Sequence, residues 1–131
     1  MKNFPLGILF ILLTILTSCS AQQASGSKTI NVTTFLSMRS KNTMLSVLDV
    51  RTPAEIAEGK IEGAMTMDYS QPDFSNRIDK LDKNQPIVVY CAVGGRSSSA
   101  AEIMRKKGFK EVYNLEGGIQ AWRAAGQPLV K

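Results

Sequence analysis

Short apolar runs rich in β-branched residues alternate along the chain with segments whose apolar positions recur at helical spacing. Apolar runs of this length are typical of strands that are covered on both faces. The clearest is Pro86–Tyr90, and the segment after it, Ser97–Lys107, has one apolar side and stops before Gly108, as an amphipathic helix does. Strands are predicted at 30–32, 44–50, 64–67, 86–90 and 112–115, and helices from Thr33 or Thr34 to about Arg39, from Pro53, and at 74–81, 97–107 and 118–124.

This alternation of strands and helices predicts the fold class. Right-handed crossovers between parallel strands place helices on both faces of a sheet, so we expect an α/β fold with a parallel β-sheet of about five strands. A chain of 131 residues has room for one such domain. Because ligand sites in these folds lie at the carboxyl ends of the strands, functional residues are expected directly after a strand.

A different pattern occupies the first twenty residues. Behind Lys2, the 13 residues Phe4–Leu16 are apolar and uncharged, which is shorter than the about 20 residues of a membrane-spanning helix and typical of a signal peptide. Leu16-Thr17-Ser18-Cys19 follows, and it resembles the bacterial lipobox, in which the cysteine is lipidated and becomes the first mature residue. An ordinary secretory signal that is cut near Cys19 is the alternative.

Three parts of the chain are therefore predicted: a lipoprotein signal peptide at 1–18, a flexible small and polar tether at 19–28, and a folded domain at 29–131. Lipidation of Cys19 would anchor the domain to a membrane at the periplasmic or other extracytoplasmic face of a bacterial envelope. It would also leave Cys91 as a free thiol.

Composition excludes several kinds of site. The chain has no histidine, which excludes Ser-His-Asp triads, Cys-His pairs and imidazole metal ligands, and its two cysteines are too few for a thiolate zinc cluster. We therefore expect neither a metal nor a cofactor. The formal net charge of +5 favours small anions, but the basic residues are scattered, so a nucleic acid partner is not expected. We expect a monomer.

The candidate catalytic residue is Cys91, directly after the predicted strand 86–90 and before a helix. The intervening residues form the predicted active loop: Ala92, Val93, Gly94, Gly95 and Arg96. Successive backbone N–H groups of such a loop, together with the helix N-terminus, can surround one anion. Both glycines are expected to allow positive φ angles there. This environment would lower the pKa of the thiol and favour the reactive thiolate, while Arg96 would offer two N–H groups to an anionic substrate.

Three segments resemble the signatures of single-domain rhodaneses, the thiosulfate sulfurtransferase family. The loop fits Cys-x-x-Gly-x-Arg followed by small residues, and the others are Leu48–Glu55 with Gly59–Ala64, and Val112–Ile119 with Ala121-Trp122. The match spans about residues 29–130. It implies a rhodanese-like fold and transfer of sulfane sulfur from thiosulfate, or a related donor, to a thiol or cyanide through a persulfide on Cys91.

The resemblance also assigns roles outside the loop. Asp49 and Arg51 correspond to a pair that is mainly structural in the family and lies near the site. The chain departs from the family at Lys60, where histidine is usual, and at Ile56, where an aromatic residue is usual. Both departures are expected to affect local packing only.

Two alternative functions are weighed. A phosphatase of the Cys-x5-Arg kind uses a similar loop, but four residues separate Cys91 from Arg96, and the sequence shows no nearby acid to protonate a leaving group. A sulfur carrier or docking module that does not turn over is harder to separate from an enzyme, because a carrier also needs Cys91.

Overall fold

The computed structural model describes residues 28–131, which form five strands and five helices in strict alternation. The signal peptide, Cys19 and most of the predicted tether lie outside the described residues. In chain order the elements are β1 (Lys28–Ile30), α1 (Val32–Lys41), β2 (Ser46–Asp49), α2 (Pro53–Ala57), β3 (Met65–Thr66), α3 (Phe74–Ile78), β4 (Ile87–Tyr90), α4 (Gly95–Lys106), β5 (Val112–Leu115) and α5 (Gly118–Ala124).

The strands form one sheet in the order β1-β5-β4-β2-β3, and every neighbouring pair is parallel. Strand β4 lies in the middle, where all four of its residues are buried. The carboxyl end of this central strand is covered on both sides by neighbouring strands, which makes it the place where loops from several elements can meet.

Helices cover both faces of the sheet, so the predicted fold class is confirmed. Because side chains of β4 alternate between faces, Ile87 and Val89 pack on one side and Val88 and Tyr90 on the other. The first face is covered by α3 and α4, through Phe74, Ile78, Ala100, Ala101 and Met104. The second face is covered by α1 and α5, through Val32, Phe35, Ile119 and Trp122.

The first strand and helix differ from the prediction at their boundary. The strand predicted at 30–32 is instead Lys28–Ile30, so it begins in the predicted tether, and Val32 is helical. The helix is capped by Asn31, whose side chain accepts a hydrogen bond from the backbone N–H of Thr34, and not by Thr33 or Thr34. Asparagine is a strong N-cap, and this preference outweighs the apolar pattern that continues to Val32.

Helix α3 ends at Ile78, earlier than the predicted position 81, and α4 begins at Gly95, two residues before the predicted start. The second difference matters because it places Arg96 in the first turn of the helix. Within residues 28–131, no helix combines the length and apolar character that crossing a membrane requires.

Candidate active site

Cys91 continues the alternation of β4 and packs on the face covered by α3 and α4. Only 1% of the residue is exposed, so its sulfur lies at the floor of the loop that joins β4 to α4. It is the free cysteine of the described chain. The central strand therefore delivers a single buried thiol to the carboxyl edge of the sheet, where the sequence predicted it.

The loop closes over the sulfur at Gly94. This residue has a φ of +112°, a backbone conformation that residues with a side chain rarely adopt. Its backbone N–H donates a hydrogen bond to Sγ of Cys91 at 3.1 Å. The expectation that Gly95 also needs a positive φ is wrong: Gly95 is the first residue of α4, and a Cβ there would meet no other atom within 4 Å.

Hydrogen bonds favour the ionised form of the thiol. Burial alone raises the pKa of Cys91. The hydroxyl of Ser97 and the backbone N–H groups of Ser97, Gly94 and Val93 together lower it by more, so the pKa is below its usual value. The donors thus come from only part of the predicted loop, with Ser97 added from the next residue after it. The sequence showed Ser97 as one of several small residues, with no sign that it would face the sulfur.

Ser97 is held by strand β5. Its Oγ lies 2.6 Å from Oδ1 of Asn114, 3.2 Å from the carbonyl oxygen of Gly94 and 3.4 Å from Sγ of Cys91. Ser97 and Asn114 are both buried. Asn114 therefore links a neighbouring strand to the active loop, and the sequence carried no signal for this role.

The amino end of α5 turns the loop in the required direction. The backbone N–H groups of Ile119 and Gln120 donate to the carbonyl oxygens of Cys91 and Ala92, at 2.9 and 3.2 Å. Since the N–H of a trans peptide points opposite to its C=O, this orients the next N–H groups of the loop away from α5. A Cβ on Gly118 would lie 2.3 Å from the carbonyl oxygen of Cys91, so only glycine allows this approach. The entry to the last helix is thus also a support of the loop.

From the sequence, Arg96 is expected to offer two N–H groups to an anionic substrate. In the structure it is paired with Glu55 from α2. Nη2 of Arg96 lies 2.6 Å from Oε1 of Glu55, and Nη1 lies 2.8 Å from Oε2. The guanidinium also interacts with the thiol of Cys91. A carboxylate therefore lies beside the loop, and Glu55 is a site residue that was missed although it lies within one of the signature segments.

Comparison with known proteins identifies the family of the chain. Residues 31–125 match the rhodanese-like domain family. The chain belongs to that family. It is 38% identical over 84 residues to a protein named sulfurtransferase from Allochromatium vinosum, a match that covers 64% of this chain and 77% of the relative.

Two further relatives support the rhodanese-like assignment. The thiosulfate sulfurtransferase GlpE of Stutzerimonas stutzeri is 39% identical over 84 residues, covering 63% of this chain and 74% of the relative. The crystal structure of a rhodanese-related protein from Thermoplasma volcanium superimposes with a TM-score of 0.70 at 31% identity, covering 79% of this chain and 97% of the other.

Asp49 and Arg51 of this rhodanese-like domain form a buried ion pair beside the loop. Nη2 of Arg51 lies 2.7 Å from Oδ2 of Asp49, and Nε bonds to both carboxylate oxygens. Nη1 donates to the carbonyl oxygen of Glu55, and Nη2 also donates to the carbonyl oxygen of Gly59. Arg51 therefore holds α2 and the segment that follows it against β2, a structural arrangement of the kind that the resemblance implied.

Lys60, one of the two departures from the family pattern, makes local contacts. Its Nζ donates to the carbonyl oxygen of Ala64 at 2.9 Å, and its backbone pairs with Val130. These bonds connect the segment after α2 to the end of the chain.

Replacing Ser97 by alanine is expected to raise the pKa of Cys91. The variant loses one hydrogen bond to the sulfur but keeps the backbone donors, so only part of the stabilisation of the thiolate is lost. The rate of alkylation of Cys91, followed against pH, reports the thiolate fraction, and its midpoint should move to higher pH. Ser99→Ala, at an exposed position of the same helix, is the control. An unchanged midpoint in Ser97→Ala would contradict a role of the hydroxyl in ionising the thiol.

Proposed function

We propose that this rhodanese-like domain is a sulfurtransferase that moves sulfane sulfur from thiosulfate or a related donor to a thiol or cyanide through a persulfide on Cys91. The observation that carries the proposal is the buried thiol with a lowered pKa, surrounded by backbone N–H groups and the hydroxyl of Ser97. The names of the relatives from Allochromatium vinosum and Stutzerimonas stutzeri support the class of reaction.

In the first half-reaction, the Cys91 thiolate attacks the outer sulfur of thiosulfate. A new S–S bond forms to Cys91, the S–S bond of thiosulfate breaks, and sulfite leaves with the bonding electron pair. The negative charge of the resulting persulfide occupies the loop, where the N–H groups of Val93 and Gly94 can stabilise it as an oxyanion hole stabilises an oxyanion.

In the second half-reaction, cyanide or a thiolate attacks the terminal sulfur of the persulfide. The Cys91–sulfur bond breaks, its electron pair returns to Cys91 as thiolate, and thiocyanate or a new persulfide leaves. No proton donor is needed for either leaving group, because sulfite and the Cys91 thiolate are both stable anions.

This last point separates the proposal from a phosphatase. A phosphatase must protonate an alkoxide as it leaves. The carboxylic acid beside the loop is Glu55, but the hydrogen bond from Arg96 and those from Thr52 lower the pKa of Glu55 to about 2. Glu55 is therefore ionised at neutral pH and has no proton to give.

The location and partners of the protein are part of the same proposal. We propose that the donor is a small sulfur anion, that Cys19 carries a lipid which anchors the domain to a membrane of the bacterial envelope, and that the protein is a monomer without a nucleic acid partner. The apolar segment and the lipobox-like residues support the anchor. A carrier that does not turn over would share the persulfide and would differ in the second half-reaction.

The intact mass of the purified protein after treatment with thiosulfate tests the first half-reaction. We expect a gain of one sulfur atom, reversed by cyanide with release of thiocyanate. Repeated release with excess thiosulfate would show turnover, whereas a single release would indicate the carrier. If no sulfur is added by any sulfane donor, the proposed function is wrong.

A further inference from the structure

The charges around the Cys91 sulfur do not match those of a dianionic substrate. The guanidinium of Arg96 is the positively charged side chain that interacts with the thiol, and Glu55 binds it through two short hydrogen bonds. Since one guanidinium and one carboxylate carry opposite unit charges, the pair as a whole is neutral. Arg96 keeps further N–H groups that can donate hydrogen bonds, but its charge is balanced.

Glu55 is held firmly in this position. Its Oε2 accepts hydrogen bonds from the backbone N–H and the hydroxyl of Thr52, at 2.9 and 2.8 Å, as part of the capping box of α2. Only about a third of each side chain of the Arg96–Glu55 pair is exposed. An incoming anion would therefore have to separate the bidentate Arg96–Glu55 pair in order to use the full charge of Arg96.

The other ion pair beside the loop adds no positive charge. Arg51 is balanced by Asp49, with which it forms a buried bidentate pair. Asp68, whose carboxylate is held by Ser70 and Gln71, lies within the electrostatic reach of Arg96. The N–H groups at the start of α4 are directed at the sulfur, so they stabilise the thiolate. Arg96, Glu55, Arg51 and Asp49 together thus carry no net charge, and Asp68 adds a negative charge before the donor arrives.

We propose that Glu55 is a specificity-determining residue that makes this site favour sulfur donors with at most one negative charge, such as the persulfide of a small thiol, over dianionic thiosulfate. The inference rests on the proposed function, of which it names the donor class. Thiosulfate would react as a poor substitute for such a donor.

The corresponding first half-reaction is balanced without another reactant. The Cys91 thiolate attacks the outer sulfur of a persulfide R–S–SH and forms a new S–S bond to it. The S–S bond of the donor breaks, the thiolate R–S⁻ leaves with its electron pair, and Cys91 keeps the transferred sulfur with its proton. Formally, the Cys91 sulfur is oxidised and the donor's inner sulfur is reduced. One negative charge is present before and after the step.

Two donors of similar shape and different charge provide the test. Thiosulfate is a dianion, and methanethiosulfonate, in which a methyl group replaces one oxygen, is a monoanion that transfers its sulfur with methanesulfinate as leaving group. The ratio of kcat/KM for thiosulfate to that for methanethiosulfonate is measured at low ionic strength in the native protein and in Glu55→Gln. Comparing the two ratios cancels the different intrinsic reactivity of the donors.

Glu55→Gln is expected to raise this ratio about tenfold, because it removes one negative charge near the bound donor, and a dianion gains more from that change than a monoanion. Glutamine can still accept from Thr52, so the capping box is kept. Glu111→Gln, which removes the same charge at the opposite end of β5, is the control and should leave the ratio within about twofold of the native value. A ratio that is unchanged or lower in Glu55→Gln would overturn the inference.

The native protein offers a second measurement that does not depend on how the variant folds. If the site repels dianions, added salt should increase kcat/KM for thiosulfate relative to methanethiosulfonate, since screening weakens the repulsion. A relative decrease with salt, or no change, would overturn the inference. Failure of these two donors and of a small-thiol persulfide to add sulfur to the native protein would overturn the proposed function and this inference together. Addition of sulfur with an unchanged ratio in Glu55→Gln would overturn this inference alone, so the two failures are distinguishable.

Discussion

Replacing Cys91 by serine is expected to abolish sulfur transfer while the fold is retained. The hydroxyl of serine does not ionise near neutral pH and cannot form a persulfide, so neither half-reaction has a nucleophile or an intermediate. The described chain offers no second thiol to take its place. We expect a loss of about a thousandfold or more in kcat/KM, measured as thiocyanate formation from thiosulfate and cyanide.

The fold is expected to survive because serine fills nearly the same space. Cys91 is fully buried among residues of the α3 and α4 face, but its Sγ already accepts hydrogen bonds from Gly94 and Ser97, which a serine oxygen can accept as well. The free energy of unfolding should change by only about 1 kcal/mol. Cys19→Ser, at the other cysteine of the sequence, is the matched control and should keep its activity. Transfer at close to the native rate in Cys91→Ser would exclude the persulfide mechanism.

The second large effect is expected for Gly118→Ala, which adds a single methyl group at a position far along the chain from Cys91. Its Cβ would lie 2.3 Å from the carbonyl oxygen of Cys91 and 2.8 Å from that of Ala92. Both are backbone atoms, which cannot rotate away as a side chain can. To relieve the contact, α5 must separate from the active loop, and the hydrogen bonds from Ile119 and Gln120 to that loop would be lost.

We expect Gly118→Ala to lower the free energy of unfolding by about 3 kcal/mol or more, from the strained φ of +53° and the contact together. The loop that holds the thiol moves with α5, so sulfur transfer should fall by at least about tenfold even where the variant is folded. Urea denaturation and the thiocyanate assay measure the two effects separately.

Gly126→Ala separates the contact from the conformational strain. Gly126 has φ +70°, but a Cβ there would meet no atom within 4 Å. Its cost should be limited to about 1 kcal/mol, with no change in activity. Equal effects of the two substitutions would show that the approach of α5 to Cys91 has no special importance.

The predictable part of this protein depended on local regularities. The buried strand Ile87–Tyr90, the helix that follows it and the cysteine between them were clear from the sequence, because apolar periodicity and a glycine-containing turn act over a few neighbouring residues. The boundary errors occurred where two local preferences compete, as at Asn31, whose side chain starts a helix inside an apolar pattern.

The site itself was only partly predictable. The sequence placed Arg96 beside Cys91 but left its partner unknown, and 41 residues separate it from Glu55. Glu55 has no distinctive signal as a charge partner, since its capping-box pattern already explains a glutamate after Thr52. Asn114 is a polar residue within a strand, and nothing near it in the chain indicates that it meets Ser97.

By itself, then, the sequence determined an α/β sheet, a loop that follows its central strand, and a solitary thiol within that loop. The tertiary structure alone decided which groups surround the thiol and what charge they leave there. The physical reason is that hydrogen bonds and ion pairs act over a few ångströms in space, whereas Glu55, Asn114 and Gly118 reach Cys91 and Arg96 only because parallel strands bring distant parts of the chain to one edge of the sheet.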